Sequence, residues 1–230
     1  MSIKPILFNT DMVRAIMDGK KNVTRRVVRP KPENDAELLT DNLLPETGEQ
    51  GSGKVYCFSD ATVTSPPYRP GDILYVRETY VTWHLPLGGI LYCYRATDPN
   101  GNKRPTSPEF DCDLDARPWK PSIHMPKEAA RIFLKVTDVR VERLKDMTDK
   151  DALKEGAQGV KCDHADLGAY GCTDCMNTGW IEPPTVEFMY IWDSTIKKSD
   201  LDSYGWDANP WVWVIEFERC EKPEGWCSND

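Results

Sequence analysis

The sequence predicts a mostly antiparallel, barrel-like α+β domain. Alternating apolar residues mark several short strands, and only a few short segments have helical spacing. Turns or short loops separate most of the strands, which favours antiparallel neighbours. We expect one domain over residues 1–220, with loop insertions at 33–66 and 157–181 and a loose tail at 221–230. The first insertion should have little fixed structure.

The N-terminal elements surround a basic segment. An apolar strand at Pro5–Phe8 precedes a helix capped by Thr10, and Gly19 should end that helix in a left-handed conformation. A strand then follows at Val23–Val28. Residues 1–32 carry eight basic side chains and two acidic ones, although the whole chain has a net charge of −8. Such a local patch suits a small anionic or nucleotide-like ligand or a short single strand; a solvated basic strand is the alternative.

The remaining elements follow from alternation and from capping signals. Strands are predicted at Val55–Phe58, Ile73–Val81, Ile90–Ala96, Ala129–Leu144 and Trp211–Phe217, and a helix at Thr185–Ile191. The strand Ala129–Leu144 is expected to be interrupted around Thr137 and Asp138. Thr148 opens a capping-box pattern, and Gly156 ends the helix that it starts. Glu78 shares a strand face with apolar residues, so it is either paired with an arginine or placed for function.

Composition also bounds the cellular setting. No apolar run approaches the roughly 18 residues of a membrane span, and no signal-peptide-like stretch is visible. We therefore expect a cytoplasmic protein without a membrane partner. The eight cysteines should then be reduced or metal-bound.

A cysteine cluster lies in the second insertion. Its candidate ligands for a zinc ion are Cys162, His164, Cys172 and Cys175. This insertion has few apolar residues, so a metal would supply its core. The sequence therefore predicts a structural zinc. A loop of reduced cysteines is the alternative, and a redox pair lacks the thioredoxin-like context that it needs.

Several motifs together resemble one family. They are Pro5–Thr10, Gly19–Lys21 followed by Thr24–Arg26, Tyr68–Thr79, Met125–Arg131, Leu144–Gly156, Trp192–Ser194 and Asn209–Val214. The set is similar to the ASCH (activating signal cointegrator homology) family, in its larger form from phages and prophages. The resemblance covers nearly the whole chain outside 33–66 and most of 97–118. It implies a PUA-like β-barrel that binds RNA or a nucleoside beside the Gly-Lys-Thr strand.

Some small bacterial members of that family resemble amidohydrolases that deacetylate 4-acetylcytidine. Carried onto this chain, the resemblance implies Thr24 as nucleophile, Lys21 as base and Glu155 as the third member of a triad. A threonine hydroxyl needs a base, and a lysine can be that base only when its pKa is lowered. Neighbouring cations lower the pKa of a lysine, whereas a carboxylate raises it. A surface lysine and an ordinary strand threonine are the alternative.

Four further residues are predicted to bind the ligand. They are Arg25, Arg26, Arg77 and Glu78, and Arg26 is the strongest candidate because a guanidinium fork suits a phosphate or a base edge. Arg77 has a structural ion pair as its alternative. The predicted function is binding of RNA or a modified nucleoside, with possible amide hydrolysis and no organic cofactor. The alternatives are a non-enzymatic RNA-binding module and an RNA-cleaving enzyme.

Overall fold

A computed structural model describes residues 2–29, 38–40, 55–57, 63–84, 88–98, 118–163, 175 and 178–226. The chain divides into two compact units. Unit 1 comprises Met1–Gly19, Gly71–Val136 and Glu218–Asp230, and unit 2 comprises Lys20–Pro70 and Thr137–Phe217. This division does not test the prediction of a single domain over residues 1–220, which stays a prediction.

The described elements are short helices and strands, which confirms the α+β class. The strands are β1 Ile3–Leu7, β2 Val23–Val27, β3 Leu38–Thr40, β4 Val55–Cys57, β5 Val63–Thr64, β6 Ile73–Arg77, β7 Tyr80–His84, β8 Ile90–Tyr94, β9 Phe133–Arg143, β10 Val160–Lys161, β11 Trp180–Glu182 and β12 Trp211–Cys220. The helices are α1 Thr10–Met17, α2 Asp149–Lys154, α3 Pro184–Thr195 and α4 Leu201–Tyr204. Among the described strands no sheet closes into a barrel.

Unit 1 is built on a parallel strand pair and a hairpin. Strand β1 runs parallel to β6, the start of β9 pairs with β6 in the antiparallel sense, and β7 pairs with β8. The predicted strand Ile73–Val81 is divided into β6 and β7, because Glu78 and Thr79 leave the ladder. Asn9 rather than Thr10 caps α1, since its side chain accepts a hydrogen bond from the amide of Met12 at 2.8 Å.

Trp226 is packed within the segment that the sequence suggested as a loose tail, and residues 227–230 lie outside the described residues. Trp226 is 7% exposed and belongs to the apolar cluster of unit 1. Its ring lies 4.9 Å from that of Tyr75 and 5.0 Å from that of Phe133, measured between centroids. An aromatic side chain of this size gains enough from burial to hold an otherwise polar segment.

Unit 2 contains the basic strand. Strand β2 pairs with β12 in the antiparallel sense, so that Thr24, Arg25 and Arg26 lie opposite Ile215, Val214 and Trp213. The core of unit 2 is an apolar cluster drawn from β2, β12, α2 and α3 and their flanks: Val23, Leu144, Met147, Ala152, Ala157, Phe188, Trp192, Val212 and Val214. Side-chain alternation along β2 turns Val23, Arg25 and Val27 to this core and turns Thr24 and Arg26 to the other face.

Within unit 2 the helix start predicted at Thr148 is confirmed. The Thr148 hydroxyl accepts a hydrogen bond from the amide of Asp151, and the Asp151 carboxylate accepts one from the amide of Thr148. The helix ends at Lys154, so Glu155 becomes its C-cap. Gly156 follows with a φ of 98°. This positive φ turns the chain out of the helical path after Glu155. The backbone of Glu155 forms an isolated antiparallel bridge with that of Lys21.

In the first insertion the strand predicted at Val55–Phe58 is present as β4, and β3 and β5 are strands that the sequence analysis did not predict. Strands β3, β4 and β5 form an antiparallel three-stranded sheet, and the rest of 33–62 lies outside the described residues. In the part of the chain that the structure describes, no helix has the length and apolar character of a membrane span.

Candidate active site

The centre of the candidate site is a buried ion pair between Lys21 and Glu155. The two side chains are 0% and 3% exposed, and the ammonium Nζ lies 2.5 Å from Glu155 Oε2. The same Nζ donates to the backbone oxygens of Val23 at 2.7 Å and of Glu155 at 2.9 Å. An ammonium has three donors, and these acceptors match all of them. These three contacts stabilise the ammonium form of Lys21.

Backbone contacts explain why these two residues meet. Lys21 forms a single antiparallel bridge with Glu155 just before β2 begins. The amide of Asn22 donates to the carbonyl of Lys154 at 3.0 Å, which holds the start of β2 against the end of α2. The structure thus brings together two of the three predicted triad residues, although 134 positions separate them.

Arg25 is the second cation on Glu155. Its Nη1 lies 3.2 Å from Glu155 Oε1, and its Nη2 lies 3.4 Å from Glu142 Oε2. The Arg25 side chain is 1% exposed. Carboxylates engage both terminal nitrogens of this buried arginine, so the geometry favours a structural role over the ligand contact that the sequence suggested.

The surroundings lower the pKa of Lys21 below its ordinary value. Burial is the main cause, because it penalises the charged form. The Glu155 carboxylate opposes this effect, whereas the positive charges of Arg26 and Arg25 add to it. A lysine with a lowered pKa beside a specific carboxylate is typical of functional sites, although structural ion pairs also produce it.

Thr24 lies next to this pair along the chain. It is 2% exposed, and the carbonyl that accepts from Lys21 Nζ belongs to the peptide that joins Val23 to Thr24. Within the described ranges, the hydrogen bonds do not include one from the Thr24 hydroxyl to Lys21 or Glu155. The structure therefore contains the Lys21–Glu155 contact of the predicted triad. Among the described hydrogen bonds, Lys21 reaches the backbone carbonyl of Val23, the residue before Thr24, and not the Thr24 hydroxyl.

Arg26 shares its strand face with Thr24 and is partly exposed. Burial lowers the pKa of Arg26, while Tyr68 and Glu155 act in the opposite direction. Burial likewise raises the pKa of the Tyr68 hydroxyl, and the charge of Arg26 opposes that shift. Tyr68 is thus a neighbour of Arg26 that the sequence did not identify as a site residue.

Arg77 and Glu78 lie in unit 1, where each has a structural partner. Both carboxylate oxygens of Glu78, which is 1% exposed, bind Arg131, with Nε–Oε1 at 2.8 Å and Nη2–Oε2 at 3.0 Å. Arg77 donates to the backbone oxygen of Met125 at 2.9 Å and to that of Ile123. Glu78 therefore has the arginine partner that its structural alternative named, and that arginine is one that the sequence did not single out. Arg77 binds backbone oxygens, whereas its structural alternative was an ion pair.

The two described cysteines of the predicted zinc site lie at one end of the β10–β11 hairpin. Cys162 and Cys175 are 6% and 4% exposed. The amide of Cys162 donates to Gly179 at 3.0 Å, and the amide of Thr178 donates to Cys175 at 2.9 Å. His164 and Cys172 lie outside the described residues. Among the described side chains no group of three or more potential metal ligands occurs, and the zinc ion stays a prediction.

Glu142 is the site neighbour that sequence reasoning missed. It belongs to a polar row on β9, where Asp138, Arg140 and Glu142 follow each other at every second position. Arg140 binds Glu142 at 2.5 Å, Glu216 at 2.6 Å and Asp138 at 3.0 Å. Burial lowers the pKa of Arg140, but these carboxylates more than offset it and raise that pKa overall. The alternation of charges along one strand was the available signal.

Three comparisons with known proteins add no assignment. A scan against protein-family models, a search of the curated proteins and a search of the solved structures each found no match.

Proposed function

We propose that this chain is an ASCH-type amidohydrolase that removes the acyl group from a modified nucleoside such as 4-acetylcytidine. The observation that carries the proposal is the buried contact between Lys21 and Glu155, which are two of the three residues of the expected triad. The succession of motifs along the sequence supports the assignment to the ASCH family. The PUA-like fold is part of the same proposal.

The burial of this pair is the reason to look for function. Two charges taken out of water are costly, and their mutual attraction often only balances that cost. Replacement of a buried ion pair by apolar residues of similar size is often neutral or stabilising in proteins. In this proposal the lysine with a lowered pKa serves as the base for the Thr24 hydroxyl, a role that an apolar side chain cannot fill.

In the first half-reaction the Thr24 oxygen attacks the carbonyl carbon of the acyl amide. Lys21, as the neutral amine, accepts the hydroxyl proton. The tetrahedral intermediate then collapses, the bond from the acyl carbon to the exocyclic nitrogen breaks, and Lys21 returns the proton to that nitrogen. The nucleoside leaves as its free amine, and the acyl group stays on Thr24 as an ester.

In the second half-reaction water replaces the nucleoside. Lys21 accepts a proton from a water molecule, whose oxygen attacks the ester carbon. The ester bond to Thr24 breaks, and Lys21 gives the proton to the departing Thr24 oxygen. The products are the free acid and the restored enzyme.

The charges around Lys21 suit both protonation states that this cycle needs. Burial and the charges of Arg25 and Arg26 make the neutral amine more accessible than in an ordinary lysine. Glu155 stabilises the ammonium that forms when the proton arrives. Arg26, on the strand face of Thr24, is the proposed contact for the base or a phosphate.

Purified full-length protein incubated with 4-acetylcytidine provides the test, with release of cytidine followed by chromatography. We expect turnover in the wild type, no turnover in Thr24→Ala, and retained turnover in Thr24→Ser, which keeps a hydroxyl. Lys21→Met should lose about 10²- to 10⁴-fold in rate, the usual contribution of a general base. Turnover that survives Thr24→Ala would exclude the proposed nucleophile.

A non-enzymatic RNA-binding module is the second candidate. It is favoured by the exposed side chains of Lys20 and Arg29 on either side of β2. It predicts RNA binding that weakens steeply with salt and is reduced in Arg26→Ala, with no chemical change in the ligand. Incubation with end-labelled RNA also tests the RNA-cleaving alternative, which would give shortened products.

A further inference from the structure

We propose that Arg25 and Glu142 are positioning residues that fix the carboxylate of Glu155 against Lys21. The inference rests on the proposed function, because Lys21 is the proposed base. It changes the role of Arg25 from the ligand contact that the sequence suggested to a residue that acts through Glu155.

Each carboxylate oxygen of Glu155 contacts a different cation. Oε2 lies 2.5 Å from Lys21, and Oε1 lies 3.2 Å from Arg25 Nη1. The terminal torsion of a glutamate is soft, so a single contact would leave the carboxylate plane free to turn. With Arg25 on the second oxygen, the plane and the reach of Oε2 towards Lys21 are both fixed.

Arg25 is in turn held from its other end. Its Nη2 lies 3.4 Å from Glu142 Oε2, while Glu142 Oε1 lies 2.5 Å from Arg140 Nε. Charges of alternating sign therefore run from Lys21 through Glu155, Arg25 and Glu142 to Arg140. A planar guanidinium can span two carboxylates in this way, whereas a lysine ammonium acts as a point charge.

The position of Arg25 separates positioning from ligand binding. Its side chain is 1% exposed and turns to the core face of β2, whereas Thr24 and Arg26 turn to the other face. A ligand that reaches Thr24 from the opposite face therefore has Arg26 beside it and not Arg25. Arg25 can influence the reaction only through the charges and the carboxylate that it contacts.

Two variants and a matched control test this role in the full-length protein. We call the contacts of Arg25 with Glu155 and Glu142 the clamp. Arg25→Gln removes the clamp, and Glu142→Gln loosens it at a side chain that is 28% exposed and thus tolerant of change. Asp138→Asn is the control, because Asp138 is 51% exposed and binds Arg140 without contacting Arg25. With an acylated nucleoside we expect kcat to fall roughly 10- to 100-fold in the two variants, as for a displaced catalytic group, with KM unchanged. A ligand contact would instead raise KM.

The pH profile gives a second readout. The charge of Arg25 lowers the pKa of Lys21, so its removal should move the profile of kcat in Arg25→Gln to higher pH. Among the described residues, the charges that shift the pKa of Lys21 belong to Glu155, Arg25 and Arg26, and the two arginines act in the same direction. A purely structural defect would lower kcat without moving the profile.

Nitrogen NMR of the Lys21 ammonium tests the clamp without turnover. Wild-type protein should show one slowly exchanging lysine ammonium signal, identified by its loss in Lys21→Met. We expect Arg25→Gln and Glu142→Gln to shift and broaden it and Asp138→Asn to leave it unchanged. An unchanged signal in both clamp variants, or a raised KM at normal kcat, would overturn the inference. Absence of turnover in the wild type would remove the proposed function alone, since this signal still reports the clamp.

Discussion

The buried pair of Lys21 and Glu155 allows a direct test by a double-mutant cycle. Lys21→Met leaves a carboxylate that is 3% exposed with Arg25 at 3.2 Å, and Glu155→Gln removes the described carboxylate partner of an ammonium that is 0% exposed. Removal of one partner of a buried ion pair typically lowers the free energy of unfolding by about 3–5 kcal/mol. We expect Lys21→Met near the lower end of that range, because Arg25 still compensates Glu155, and Glu155→Gln near the upper end.

The double variant should cost clearly less than the sum of the two single changes. Residues in direct contact usually show coupling energies of about 0.5–3 kcal/mol, and this pair should lie in the upper half of that range. Urea unfolding followed by the fluorescence of the eight tryptophans measures all four proteins. At a slope of about 3 kcal/mol/M, a loss of about 3–5 kcal/mol moves the midpoint by roughly 1–2 M. Costs that simply add would refute the direct contact, whatever their size.

Three further predictions concern other parts of the same structure. The pKa of Lys21 is lowered in the folded protein, so the unfolded chain binds more protons than the folded one at alkaline pH. The stability of the wild type should therefore rise relative to that of Lys21→Met as the pH rises from the lowered pKa towards about 10.4. A pH-independent stability difference in urea unfolding would contradict this. Gly159→Ala should destabilise more than Gly19→Ala in thermal unfolding, because an added Cβ meets the Glu182 oxygen at 2.6 Å at the first position and nothing within 4 Å at the second. Elemental analysis should find about one zinc per chain, lost when Cys162 and Cys175 are both replaced by serine; metal-free wild-type protein would end the zinc hypothesis.

Local signals in the sequence were sufficient for several elements. The capping box at Thr148, the left-handed Gly19 and the alternating strand that begins at Trp211 are all present. These features depend on a few neighbouring residues, so the local sequence determines them. The division of Ile73–Val81 at Glu78 had no such signal, and the arginine that binds Glu78 lies 53 positions away.

The candidate site divides in the same way. Alternation along β2 placed Arg25 and Arg26 on opposite faces, but only the tertiary structure shows that the face of Arg25 is the core. Its two carboxylate partners come from α2 and β9, which lie more than a hundred positions away. Composition and spacing alone could not distinguish a buried clamp from a ligand-binding arginine.

The acyl-enzyme tests the central claim most directly. Wild-type protein is mixed with 4-acetylcytidine, quenched in acid within the first turnovers, digested and examined by mass spectrometry. In the wild type we predict one added acetyl group on the peptide that contains Thr24. Thr24→Ser should carry the acetyl group on the same peptide, and Thr24→Ala should carry none. Cytidine release without any acetylated peptide containing Thr24, or an acetyl group on another residue, would contradict the assignment of Thr24 as the nucleophile.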